Sequence, residues 1–170
     1  IMISNDDMVY SKNWFASLIN EMGNPICVSP KLVEPKPGAP TFEVYFCGGA
    51  GGDFDYGKWE DFVRNYKGSG WRTGFNLPFL MSRDLWNTIS GYDINYDTWG
   101  SNSDSYLEYK VKLAGVQPMQ NTDSIVYHFS QTAGTFHPNN RGWCNKNCDY
   151  FVKKWGFPRT DEGIWEANFE

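Results

Sequence analysis

Three aspartates are the residues best suited to chemistry. Asp6 and Asp7 close the segment Ile3-Ser4-Asn5-Asp6-Asp7-Met8, and Asp104 lies far along the chain in Asn102-Ser103-Asp104-Ser105. Adjacent carboxylates at the end of a strand offer hard oxygen ligands to Mg²⁺ or Mn²⁺, which take one or two carboxylates and fill their remaining positions with substrate phosphates. A cation held there neutralises charge that builds on a departing diphosphate. A carboxylate on a second loop, across from that cation, suits a general base that accepts the proton of an attacking hydroxyl. The three together point to group transfer from a phosphate-activated donor. The competing role for each is a helix N-terminus, where acids satisfy free N–H groups. Asp93 and Asp97 are the alternatives for the base. His128, at the end of an apolar strand, is either a satisfied core histidine or a further metal ligand, and His137 in a Pro-Asn-Asn loop could substitute for it. Trp71, Tyr92 and Trp99 offer flat rings on which a sugar face can stack. Arg72 and Arg83 could meet phosphate, and Lys110 reads as a solvated helix face.

The elements that must position these residues alternate along the chain. Residues 1 to 4 read as a short buried strand. Ser11 is a plausible N-cap for a helix whose apolar stripe is Trp14, Phe15, Leu18, Ile19 and Met22, stopped by Gly23. Ile26 to Ser29 read as a strand closed by Pro30, so strand, helix and strand suggest a parallel pair with a right-handed crossover. A proline-rich loop leads to a strand over 41 to 47. The small residues Gly48-Gly49-Ala50-Gly51-Gly52 follow as a flexible lid or hinge; without a following Lys-Ser/Thr they are not a Walker loop. Trp59, Phe62, Val63 and Tyr66 mark a short amphipathic helix. Asn76 to Met81 read as a strand, Ser82 as the cap of a helix to Ile89, and Gly91-Tyr92-Asp93 as its break. Leu107, Val111 and Ala114 line a helix ended by Gly115, Ile125 to Phe129 form a strand, and a last helix spans about Trp143 to Trp155. The tail over 157–170 reads as an acidic surface wrap. No repeat or low-complexity tract appears.

The bulk numbers fit one domain over 1–170. A chain of this size can bury roughly 70% of its unfolded surface. Aromatic residues make up 18%, more than a core alone needs, which suggests a groove with flat walls. Net charge is −5 with no Lys/Arg run, so nucleic acid is an unfavourable partner. No apolar stretch approaches the roughly 20 residues of a membrane span, and no signal peptide is visible. The four cysteines, Cys27, Cys47, Cys144 and Cys148, lack a second close pair that would complete a zinc site. Cys144 and Cys148 share a helix face with Phe151 and Trp155. All four read as reduced and structural, which favours a cytoplasmic setting, at most peripheral to a membrane.

In order and spacing, four stretches resemble the second half of a GT-A-fold glycosyltransferase, most closely the large family 2 of inverting enzymes. Ile3-Ser4-Asn5-Asp6-Asp7 is similar to the strand that ends in that family's metal-binding acids. Asn76 to Asp93, with Phe79-Leu80-Met81-Ser82-Arg83 and Ile89-Ser90-Gly91-Tyr92-Asp93, is similar to its acceptor-side strand, helix and Gly-Gly-Phe-Asp turn. Ser103-Asp104-Ser105-Tyr106-Leu107 is similar to its Glu-Asp motif, with Ser103 in place of the glutamate and Lys110 in place of the later arginine. Val126-Tyr127-His128 and Phe151 to Gly156 are similar to its closing strand and Lys-Trp-Gly helix.

The resemblance implies an α/β fold: a partial GT-A (nucleotide-diphospho-sugar transferase) fold, a mixed sheet flanked by helices, with the N-terminal nucleotide-binding strands missing. It implies transfer of a sugar from a nucleotide-diphosphate donor to an acceptor hydroxyl of a glycan or other molecule, with inversion and with Mn²⁺ or Mg²⁺. Asp104 is then the base, and Asp7, with Asp6 and His128, the metal set. Trp71, Arg72, Tyr92, Asp93 and Trp99 contact substrate. A non-catalytic carbohydrate-binding or structural remnant of such an enzyme is the alternative. A metal phosphohydrolase is a distant third, because its downstream Thr/Ser and Lys have no clear position. A missing N-terminal half leaves the first strand with an unpaired edge, through which copies could associate.

Overall fold

The computed structural model describes residues 1–19, 26–36, 42–49, 52–96, 103–129 and 141–156, without the side chains of 103 and 141–144. They form a mixed sheet flanked by helices. Its strands are β1 (Met2–Ile3), β2 (Met8–Tyr10), β3 (Cys27–Glu34), β4 (Glu43–Val44), β5 (Trp71–Thr73), β6 (Phe79–Met81) and β7 (Met119–His128). The helices are α1 (Trp14–Ile19), α2 (Tyr56–Asn65), α3 (Arg83–Thr88), α4 (Ser103–Leu113) and α5 (Arg141–Trp155). The strands run in the order β1-β6-β3-β7-β2, with β4 beside β3 and β5 beside β7. β3 is parallel to β7 and β4; the remaining pairs are antiparallel.

β3 and β7 form the spine. β3 alternates little in burial, as a strand covered on both faces does, and Val33, Val126 and Tyr127 are fully buried. Pro30 does not end β3. It has no N–H to give a ladder, and the chain answers with an irregularity: register passes from Pro30↔Asn121 to Lys31↔Ile125. The displaced β7 residues find other partners. The Thr122 hydroxyl donates to the Gly70 carbonyl at 2.8 Å and accepts from the Ser69 amide at 2.7 Å. The Asn121 amide donates to Ser17 O, and the Ser124 hydroxyl to Trp14 O, which fastens α1 to the sheet. The Pro30 carbonyl accepts from Asn76 and Gln120 side chains, both at 3.1 Å.

The expected parallel pair of first strand and β3 is replaced by a triplet. β6 lies between them, antiparallel to both, so β1 and β3 run the same way without touching. β1 holds an edge of the sheet; it is two residues long and its Met2 is exposed. Ser11 does not cap α1. Its hydroxyl is committed to Ile125 O at 2.8 Å. Of the expected α1 stripe Leu18 is buried, whereas Phe15 and Ile19 are exposed; Met22 and Gly23 lie outside the described residues. Ser82 caps α3 as expected, accepting from Leu85 N, and Gly115 follows α4 in the left-handed region.

Three apolar clusters hold these elements. One joins β6, α3 and α4 through Cys27, Phe79, Met81, Leu85 and Leu107. The second joins β3, β7 and α2 through Val33, Cys47, Trp59 and Tyr127. The third packs α5 on α4 through Tyr106 and Phe151. The ends of the glycine-rich segment are pinned: the Tyr127 hydroxyl donates to Gly48 O, and Gly49 N donates to the Asp53 carboxylate. Gly48 is required, with φ +111 and a would-be Cβ 2.3 Å from Asp53 O. Residues 50 and 51, the middle of the expected lid, lie outside the described residues. Among those residues no helix is long and apolar enough to cross a membrane.

Candidate functional site

The parallel ladder of β3 and β7 pairs Val33 with Tyr127, so Glu34 and His128 emerge side by side where both strands end. β2 runs antiparallel on the far side of β7 and pairs Met8 with His128, which delivers Asp7 to the same end of the sheet. Phe129 N donates to Asp7 O at 3.1 Å and holds that backbone in place. The side chains converge accordingly. Glu34 Oε1 lies 2.7 Å from His128 Nδ1, and Asp7 Oδ1 lies 3.4 Å from His128 Nε2. Glu34 is buried, and Asp7 and His128 keep a narrow opening to solvent, with side chains 16% and 17% exposed. Burial opposes a charge on the imidazole, but the hydrogen bonds and charges of Asp7 and Glu34 outweigh it and raise its pKa to about 9.

This arrangement separates the two expected acids. Asp7 faces the histidine; Asp6 is exposed to solvent. Glu34 was not anticipated from sequence. Its strand, Cys27 to Glu34, runs on past Pro30, where the local sequence signals a stop. Its nearness to His128 follows only from the β3–β7 register.

Asp104 lies in the first turn of α4, half-buried. The Tyr92 hydroxyl donates to its Oδ1 at 3.3 Å. The Asp93 carboxylate is engaged within the protein. Its Oδ2 accepts from Tyr106, Tyr150 and Lys154 at 2.9, 2.8 and 2.7 Å, and its Oδ1 from the Asn95 amide at 2.9 Å. Burial works against its charge, yet Lys154, the Asn95 amide and the two phenols prevail and hold the carboxyl far below the usual carboxylate range. Lys110 is not a solvated face: its ammonium donates to Gly91 O at 2.6 Å.

Arg72 donates to the side chain of Gln120, its neighbour across the β5–β7 ladder, and so supports the polar cluster around Pro30. Trp71 is half-buried on the same strand, opposite Asn121. Arg83 is exposed at the start of α3. Asp97, Trp99 and His137 lie outside the described residues. Cys27 and Cys47 are buried free thiols and Cys148 is a half-buried one.

Among the described residues no group of three or more His, Cys, Asp or Glu is set to hold a metal ion. The donor set at the sheet end is smaller: one carboxylate and one imidazole nitrogen, with a buried carboxylate behind the ring. Of these, the Asp7 carboxylate and, once deprotonated, His128 Nε2 could serve as ligands to a cation. A carboxylate on the far nitrogen of a ligating histidine is the usual support for such a ligand, because it fixes ring orientation and tautomer. Comparison of the chain with protein-family models, with curated proteins and with solved structures found no match.

Proposed function

We propose that this chain carries the catalytic face of a GT-A-type glycosyltransferase that moves a sugar from a nucleotide diphosphate to an acceptor hydroxyl with inversion. The observation that carries the reading is the line Glu34–His128–Asp7, which brings one imidazole nitrogen and one carboxylate oxygen within 3.4 Å of each other at the end of two parallel strands. Asp7 and His128 would hold Mn²⁺ or Mg²⁺, and Asp6 stands beside them in solvent. When bound, the cation supplies positive charge against the leaving diphosphate. His128 Nε2 would take up the metal by giving up the proton it otherwise shares with Asp7, while Glu34 would hold the remaining N–H on Nδ1. Asp104 accepts the acceptor's hydroxyl proton while that oxygen bonds the anomeric carbon. The carbon–oxygen bond to the diphosphate breaks and its electron pair leaves with the diphosphate. Trp71 and Trp99 offer rings to sugar faces.

The test is calorimetric. Nucleoside diphosphates, titrated with and without Mn²⁺, are expected to bind at micromolar levels only with the metal. Asp7→Asn should weaken that binding at least tenfold, and Asp104→Asn should leave it intact while removing transfer. Diphosphate binding that ignores Mn²⁺, or no binding at all, overturns the reading. Binding of an oligosaccharide in its place identifies a non-catalytic carbohydrate-binding module.

A further inference from the structure

We propose that Tyr92 is a positioning residue for the general base, helping to orient the Asp104 carboxylate through its phenolic O–H. The inference rests on the reading of Asp104 as that base and adds a residue that acts on it. The donor geometry is direct: the Tyr92 hydroxyl reaches Asp104 Oδ1 at 3.3 Å.

What makes this contact more than a chance pairing is how firmly both partners are tied to one helix. Residues 91 to 93 form the turn that bears Tyr92. On one side of it, Lys110 donates to the Gly91 carbonyl at 2.6 Å. On the other, Tyr106 donates to the Asp93 carboxylate at 2.9 Å. Tyr106 and Lys110 belong to α4, the helix whose first turn holds Asp104. The turn and the base are therefore anchored to the same helix. Tyr150 and Lys154 of α5 close the clamp from outside. The Tyr92 ring itself is fixed by an edge contact with Trp86, centroids 5.9 Å apart. Gly91 allows that approach: its φ is +53, and a Cβ there would lie 2.7 Å from the Trp86 ring. Burial first, and then the Asp104 charge, raise the pKa of the Tyr92 phenol, so it remains a donor throughout the working range.

A phenol that donates to a carboxylate favours the charged form, so removing it makes the carboxylate easier to protonate. Tyr92→Phe keeps the ring and deletes the donor. Carbon-detected NMR of the Asp104 carboxyl, assigned with Asp104→Asn, should show its midpoint rising by about 0.5–1 pH unit in Tyr92→Phe. The acid limb of the transfer rate should move upward with it. Tyr150→Phe is the control, because it removes a phenol from Asp93 and none from Asp104; its Asp104 midpoint should stay at the wild-type value. An unmoved midpoint in Tyr92→Phe overturns the proposal, as does an equal shift in Tyr150→Phe. If Asp104→Asn still turns over, the base assignment fails; the Tyr92 contact is then only structural, even where the NMR shift is seen.

Discussion

At the scale of single residues, His128 ties the stability of the fold to pH. A protonated imidazole between Asp7 and Glu34 is stabilised in the folded chain and has no such partners in the unfolded one. Its folded pKa, about 9, lies above the ordinary value of 6.5. The folded state therefore binds the proton more tightly, and the stabilisation is fully present below about pH 6.5. It is lost as pH rises through 9, and on the order of 3 kcal/mol is at stake. Urea unfolding at pH 6 and pH 9.5 without metal should show this decline, and Glu34→Gln should flatten it. A wild-type slope equal to that of Glu34→Gln would mean that the imidazole is not held in this way. Asp93 works in the opposite sense. Its depressed carboxyl stabilises the fold above the usual carboxylate range, and that contribution fades as pH falls through its folded value.

At the scale of elements, the crossing of the 68–70 segment over the β7 irregularity is a tight joint between two distant parts of the chain. A Cβ on Gly68 would lie 2.4 Å from Thr122 O and 2.5 Å from Thr122 C, both backbone atoms that cannot swing aside. Gly68→Ala is expected to cost about 1–3 kcal/mol, the range for forcing extra volume into a packed site. Chemical denaturation measures it, and a loss below a few tenths would show that the strand gives way easily. This joint also shows where sequence reading reached and where it stopped. The cap at Ser82, the break at Gly91, the stop at Gly115 and helices α2 to α5 were legible, because each depends on local chemistry. The length of β3 was not. Pro30 is a local stop signal, but its carbonyl is satisfied by Asn76 and Gln120 from distant parts of the chain, and the strand continues to Glu34. The first half of β7 was missed for a related reason. Gln120, Asn121 and Thr122 look like loop residues until their non-local hydrogen bonds are known. Of the site, Asp7, His128 and Asp104 could be nominated by type and spacing. Glu34 depended on strand register, and the structural duty of Asp93 on three side chains more than ten positions away.

At the scale of the whole molecule, β3 is shared by two of the three apolar clusters. Its first residues pack with β6, α3 and α4, and its last with β7 and α2. Each of these two clusters happens to contain one sealed thiol. Cys27 is 2% exposed and Cys47 1% exposed. Burial, and for Cys27 then the charge of Glu108, raises both pKa values, that of Cys27 to about 12. Neither thiol can meet an alkylating reagent until its own surroundings come apart. The chain thus carries two built-in clocks, one per half of the sheet. Mass-resolved labelling in mild denaturant would read them separately. Equal rates are expected if the continuous β3 makes both halves open in a single event, whereas a Cys47 rate well ahead of Cys27 would show that the α2 side detaches first.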